Sequence, residues 1–163
     1  MLTIGSNKNR WLLVEFVDMS TVDASAGKEP LSSRSLDGRL IYNALRDSVV
    51  SNFGDTGWGA VGMSLTVKYF SPTTNLCIIR VARDHHRIAW GAVTLLTGIH
   101  DIRVIPRVIH VSGTIKHAQL SAIAHNREVI ARFRTKVKDA ALRHDSYDDY
   151  LARSTREIEA LQD

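Results

Sequence analysis

A chain of 163 residues, 44% of them apolar, is long enough for one domain with its own core. Its single cysteine, Cys77, excludes an internal disulfide or a cysteine metal site and fits a reducing compartment; the absence of any apolar window of about 18 residues, and of an apolar stretch in Met1–Arg10, argues against a membrane span or a secretory signal. The net charge of +4 is segregated: eleven Lys/Arg stand against three Asp/Glu between Leu76 and Lys138, with a neutral stretch before and an acidic one after, a pattern suited to a polyanion.

Trp11–Val17 is a short apolar run that predicts a first strand. Asp18–Ser33, rich in Ser, Asp, Ala and Gly with Pro30, predicts a surface loop. Leu36, Leu40, Ile41, Ala44, Leu45, Val49 and Phe53 follow helical spacing, with Ser35 as the expected N-cap and Gly54 as the stop. Gly54–Gly59 then reads as a glycine-rich turn. Ala60–Phe70 alternates, with Val61, Met63, Leu65, Val67 and Tyr69 on one face and Lys68 and Phe70 on the other, which predicts a half-buried strand. After the turn Ser71–Asn75, Leu76–Arg83 predicts its antiparallel partner. Asp84 is the expected N-cap of a helix to about Thr97, with Ile88, Val93, Leu95 and Leu96 as core residues. Arg103–Ile115 predicts a long strand broken or bulged at Pro106. Lys116–Lys138 predicts an amphipathic helix. The acidic tail is expected to be solvated and loosely attached, whether or not it is helical.

The order is β–α–β–β–α–β–α. It predicts an α+β fold of ferredoxin-like, RRM-like type: an antiparallel sheet with helices mainly on one face, plus a C-terminal helix. The chain divides into an arm over residues 1–9, a domain over 10–138 and an acidic tail over 139–163. On this reading the open sheet face is the natural place for a ligand.

No constellation supports a protein-borne active site. Asp84-His85-His86 is the densest polar cluster, but adjacent residues at a helix start diverge, so the bland reading is a cap and two surface histidines. Gly54–Gly59 lacks the Gly-Lys-Ser/Thr ending of a phosphate loop. The aromatic pattern that stacks single-stranded bases on an RRM sheet is also absent: Tyr69 falls on the apolar face, and only Phe70 is placed to present a ring. What remains is Lys68, Arg80 or Arg83, Thr114 and Lys116, groups able to grip phosphates and 2′-hydroxyls. Their bland reading is a solvated sheet face. In Ser112-Gly113-Thr114-Ile115-Lys116 the glycine permits close approach or a positive φ, and Lys116 and His117 open a helix whose N–H groups attract anions. A phosphate site and a plain capped turn are both open here.

The chain resembles a known family at Arg10-Trp11-Leu12-Leu13-Val14-Glu15, Gly54-Asp55-Thr56-Gly57, Leu65-Thr66-Val67-Lys68-Tyr69-Phe70, Thr73-Thr74-Asn75, Ile78-Ile79-Arg80-Val81-Ala82-Arg83 and His110-Val111-Ser112-Gly113-Thr114-Ile115. These phrases occur in the order found in the "Pop-five" family of protein subunits shared by eukaryotic ribonuclease P and ribonuclease MRP, which has an archaeal counterpart. The start departs from the family: the arm is Asn7-Lys8-Asn9-Arg10, and Trp11 stands where a tyrosine is usual.

The resemblance implies a ferredoxin-like sandwich and a non-catalytic subunit that braces the catalytic RNA. That RNA carries the Mg²⁺-dependent cleavage which matures the 5′ end of precursor tRNA or processes ribosomal RNA precursor, and the protein itself binds no cofactor. It further implies a TIM-barrel protein subunit and other particle proteins as partners, indirect contact with precursor tRNA, no membrane, and residence in the nucleus and nucleolus. RNA contact is carried over to Lys8, Arg10, Lys68, Arg80, Arg83, Ser112, Gly113, Thr114, Lys116 and His117. Arg80 and Arg83 lie on opposite faces of a flat strand, so which of them faces RNA stays open. For the protein partner, Trp90 and Leu96 are candidates, with core as their bland reading. A free-standing RNA-binding module of the same fold is the alternative. A small enzyme or small-molecule binder ranks last, because no titrating group marks a pocket.

Overall fold

The apolar run that begins at Trp11 becomes the middle strand of an antiparallel sheet. A computed structural model of the chain, which describes residues 8–19, 36–136 and 141–163, places β1 at Asn9–Asp18, α1 at Gly38–Val61, β2 at Thr66–Ser71 and β3 at Leu76–Ala82. There follow α2 at His86–Thr94, β4 at Gly98–Ile99, β5 at Ile102–Ser112, α3 at Ile115–Lys136 and α4 at Ala141–Glu159. The arm before Lys8, the expected cap Ser35, the loop over 20–33 and the expected helix end at Lys138 lie outside the described residues.

The strand order is β2-β3-β1-β5-β4, with every neighbouring pair antiparallel. β1 and β2 therefore run parallel on either side of β3, joined through α1. β3 and β5 run parallel on either side of β1, joined through α2. These are the two interleaved split βαβ units of the ferredoxin-like fold. The two-residue β4 is too short for periodicity to reveal.

One expectation fails: the second sheet face is not open. Leu12, Val14, Cys77, Ile79 and Val81 pack with Ile41, Leu45, Val49, Ala89 and Val93 from α1 and α2. On the other face Trp11, Leu13, Tyr69, Leu76 and Ile78 pack with Ala118, Ala122 and Ile123 of α3 and Ile158 of α4. Trp11, Leu12, Leu13 and Val14 are all fully buried, and an unbroken apolar run of this kind is the sign of a strand covered on both sides.

α4 accounts for much of that cover, so the tail is docked rather than loose. Tyr69 OH shares a hydrogen bond with Ser154 Oγ at 2.7 Å, Thr74 donates to Asn126 Oδ1 at 2.8 Å, and Asn126 donates to Ser154 Oγ at 2.9 Å, all buried. Gln119 Nε2 donates to the carbonyls of Ile158 and Leu161, each at 3.0 Å, and so fastens the end of α4 to α3. Tyr150, Ser154 and Ile158, spaced by four, are its buried stripe.

Other boundaries moved for local reasons. Asp37 caps α1, its Oδ1 accepting the Leu40 N–H at 2.7 Å. Gly54 breaks the helix without ending it: its φ of 70° and ψ of −171° kink the chain, which is helical again to Val61. On a straight helix Tyr42 and Trp58 would be about 24 Å apart. Their ring centroids are 6.2 Å apart, so the second arm folds back beside the first.

β2 starts at Thr66, and a register shift at Lys68 pairs Val67 with Ile79 but Tyr69 with Ile78. The extra residue inverts the alternation. Tyr69 joins the α3–α4 cluster, while Phe70 packs with Val67 against the α1–α2 core and presents no ring. A 3-10 turn over Arg83–His85 precedes α2, so Asp84 is not its cap. Among the expected core residues there, Val93 and Leu96 are buried but Leu95 is 54% exposed. In β5 the irregularity falls opposite Leu13/Val14, at Ile109, whereas Pro106 pairs regularly with Phe16. β4 covers only the start of β5, so the missing N–H of Pro106 falls on an outer edge.

Candidate nucleic-acid interface

Strand register brings the sequence-predicted residues to one end of the sheet. β1 and β2 begin there, and β3 and β5 finish there. Thr66 pairs with Arg80, Arg80 with Trp11, and Trp11 with Ser112, so these four side chains form a row across four strands on one face. Arg80 is thus at the rim of the α3–α4 face, held between Thr66 and the buried Trp11.

Arg83 lies beyond the end of β3. Its N–H donates to the Lys8 carbonyl at 2.8 Å, which sets Lys8 and Arg83 side by side, and its Nε meets Asp84 at 3.2 Å with the guanidinium 42% exposed. Arg80 and Arg83 both reach the same end of the sheet, one from the strand and one from the turn after it.

Lys68 is the unpaired residue of the β2 bulge, half-buried, two positions from Thr66. Arg10 reaches across to the β5 end: a Cβ built on Gly113 would lie 3.5 Å from Arg10 Nη1. Gly113 does not take a positive φ, and a Cβ there would make only ordinary contact with Arg10, so neither use foreseen for the glycine is required by the fold itself. The guanidinium lies over the bare backbone of Gly113.

The Ser112–Thr114 turn is built to start α3. Ser112 Oγ–H donates to the Thr114 carbonyl at 2.8 Å and accepts the Thr114 N–H at 3.1 Å. Thr114 Oγ1 accepts the His117 N–H at 3.3 Å, the geometry of an N-cap. Ser112 is 3% exposed and its hydroxyl is spent inside the turn, so its part is to shape the turn. Capping takes up His117, and Ala118 N–H bonds the Thr114 carbonyl at 3.3 Å. The N–H groups of Ile115 and Lys116 point outward from the helix start, flanked by the exposed Lys116 and His117 side chains. Capped turn and anion-attracting helix start coexist.

Lys8, Arg10, Lys68, Arg80, Arg83 and Lys116 thus gather from the ends of three strands, β1, β2 and β3, and the start of α3. Three other cations of the basic stretch are ion-paired elsewhere: Arg107 meets Glu15 at 2.6 Å, and Arg132 and Arg134 pair with Glu128 and Asp148. Among the described residues no three His, Cys, Asp or Glu side chains are grouped to hold a metal ion, and His86 Nδ1 is turned onto the Arg83 carbonyl at 2.7 Å. Burial pushes the Cys77 thiol far above its ordinary range, which keeps it protonated in the core. Among the described residues no helix is long and apolar enough to cross a membrane.

A family model described as the Rpp14/Pop5 family matches residues 10–123, from Arg10 in β1 to Ile123 within α3. The chain belongs to this family.

The member named "Ribonuclease P/MRP protein subunit POP5" in Schizosaccharomyces pombe is 42% identical over 131 residues, which is 76% of this chain and 88% of the relative. The "Probable ribonuclease P/MRP protein subunit POP5" of Arabidopsis thaliana is 33% identical over 121 residues, 74% of this chain and 78% of the relative. A chain in the cryo-EM structure of yeast ribonuclease MRP shares the fold, with a TM-score of 0.51 at 12% identity over 77% of this chain and 95% of that one. In this member of the Rpp14/Pop5 family, α4 lies beyond the matched residues.

Sequence reasoning missed Thr66 and Trp11 as members of the cross-strand row, because membership depends on register. It also missed the docking of α4, for which a signal existed in the four-residue spacing of Tyr150, Ser154 and Ile158.

Proposed function

We propose that the chain is a non-catalytic protein subunit of ribonuclease P and ribonuclease MRP, bracing the catalytic RNA through the basic end of its sheet. The observation that carries this reading is the convergence of Lys8, Arg10, Lys68, Arg80, Arg83 and Lys116 around the start of α3, with no catalytic constellation beside them. Such a surface suits a folded RNA read by shape, through phosphates and 2′-hydroxyls, better than it suits stacked single-stranded bases. Gly113 and Thr114 would offer backbone at close range, His117 would add a ring nitrogen for hydrogen bonding, and Ser112 would hold the turn in shape.

On this reading the RNA carries the chemistry and holds the Mg²⁺, and the protein needs no cofactor. Precursor tRNA is met indirectly. A TIM-barrel subunit is the protein partner, and the particle works in the nucleus and nucleolus. The family membership and the names of the relatives support this reading.

The test is to recover the tagged full chain from its own cells at moderate salt, sequence the RNA that comes with it, and assay 5′ cleavage of precursor tRNA. One structured RNA with that activity is the expected result. RNA of no fixed identity would favour a free-standing RNA-binding module instead, and recovery of protein without RNA would overturn the reading.

A further inference from the structure

We propose that the outer face of α1 and α2 docks a second protein chain, one that sets apolar side chains against Phe53 and Trp90 and a lysine or arginine against Asp47. The inference rests on the reading of the chain as a particle subunit and adds a surface and a partner chemistry to it.

Large apolar side chains are unevenly exposed. Among the described residues seven are exposed, and four of them are on this one layer: Val50 at 39%, Phe53 at 37%, Trp90 at 41% and Leu95 at 54%. They are contiguous. Asp47, Val50 and Phe53 follow one another by three along α1 and share a face. The Phe53 ring lies over α2, since a Cβ built on Gly91 would come within 2.8 Å of its Cζ, and that brings it beside Trp90. Apolar exposure grouped in this way marks an interaction surface, and a tryptophan at its centre has the makings of a binding hot spot.

A polar hollow of about 510 Å³ adjoins the patch, lined by Asp47, Asn43, Asn52, Ser51, Leu95 and His100 among others. Its chemistry is acceptor-rich. Asp47 is exposed and has no ion-pair or hydrogen-bond partner among the described residues. Asn52 commits its Nδ2 to Ser48, donating to the carbonyl at 2.8 Å, which leaves its Oδ1 to accept. His100 is turned to Asp101 at 3.4 Å. A carboxylate and a carbonyl in a concavity beside an apolar patch fit the cationic end of a lysine or arginine whose stem continues over the patch.

The make-up of the face argues against RNA as the occupant. The face is apolar at its centre, with Val50, Phe53, Trp90 and Leu95, and the hollow beside it holds the exposed Asp47 carboxylate, which would repel a phosphate. The face also lies on the opposite side of the sheet from α3, whose start forms the basic end, so both surfaces can be occupied together.

The experiment uses the full chain in its own cells with a photo-cross-linking residue, p-benzoylphenylalanine, in place of Trp90, and in a parallel strain in place of Lys68. Position 90 is expected to cross-link to one other protein, within an apolar segment that carries a lysine or arginine. Asp47→Lys should lower that yield about tenfold, the loss of a close charge pair worth one decade. Reversing the partner's basic residue to aspartate should restore it. The Asp47→Asn variant, which keeps the shape of the hollow, should fall between, and matched thermal unfolding establishes that the variants fold. A cross-link from position 90 to RNA or to a second copy of this chain, no cross-link at all, or a yield indifferent to Asp47→Lys would each overturn the proposal. Position 68 reports separately: loss of its RNA cross-link speaks against the proposed function, whatever position 90 shows.

Discussion

Replacing Lys68 and Arg80 together tests the basic end most directly, because the two residues do different structural jobs and share one electrostatic one. Lys68 is the unpaired residue of a bulge, and Arg80 is a paired strand residue between Trp11 and Thr66. If each neutralises one phosphate, Lys68→Ala with Arg80→Ala removes two contacts. The slope of log affinity against log salt should then flatten by about 1.4 to 1.8, from roughly 0.7 to 0.9 per phosphate. Between about 50 and 200 mM salt the wild-type protein should lose about 7- to 12-fold more affinity than the double variant. The assay is equilibrium filter binding or fluorescence anisotropy against the RNA recovered with the protein, at five or six salt concentrations. Arg132→Ala is the control. Arg132 is paired with Glu128 toward the C-terminal end of α3, far along the helix from the basic end, and its loss should leave the slope unchanged. An unchanged slope in the double variant, or an equal flattening in the control, would refute the assignment of Lys68 and Arg80 to phosphate.

Ile158→Ala should destabilise the protein by about 2–5 kcal/mol, read from the urea midpoint, because this side chain is fully buried under the sheet; a change within about 0.5 kcal/mol would mean that α4 is a solvated tail after all. Gly54→Ala and Gly59→Ala meet equally open space, yet they should act with opposite sign. The first forces a Cβ into a left-handed conformation and should cost about 1–2 kcal/mol, while the second sits in helix and should gain about 0.5–1 kcal/mol. His125, 7% exposed and 3.4 Å from Glu15 without a hydrogen bond at Nε2, has its pKa lowered, first by burial and further by Arg107, with Glu15 and Glu128 opposing. The unfolded chain therefore binds a proton that the folded chain resists. Stability should be full above about pH 6.5 and fall as the pH drops toward the folded pKa, with a slope of at most about 1.4 kcal/mol per unit. His125→Gln should remove that slope in a series of urea titrations from pH 7.5 to 5, and an unaltered pH dependence would refute the assignment.

The order of strands and helices was legible because it rests on local periodicity. The unbroken apolar run Trp11–Val14 even carried the news that β1 is covered on both faces, although the alternation expected of an open sheet obscured it. The acidic tail was misjudged for a related reason. Its charges dominate its composition, while the three residues that dock it, Tyr150, Ser154 and Ile158, include two polar ones whose partners, Tyr69, Ser71 and Asn126, lie far away in the chain.

For the site, the residue types and the segments that hold them were readable: a basic middle, a Ser-Gly-Thr turn before a helix, cations on strands. Their meeting was not. A single extra residue at Lys68 reverses which way every later side chain of β2 points, and no periodicity marks where a bulge will fall. Only pairing sets Thr66, Arg80, Trp11 and Ser112 in one row, puts Arg83 beside Lys8, and lays Arg10 over Gly113. The sequence by itself determined the elements and the charges they carry, because these follow from local spacing and composition. The tertiary structure alone decided which charges share one end of the sheet, because register between distant strands is settled by packing on both faces at once.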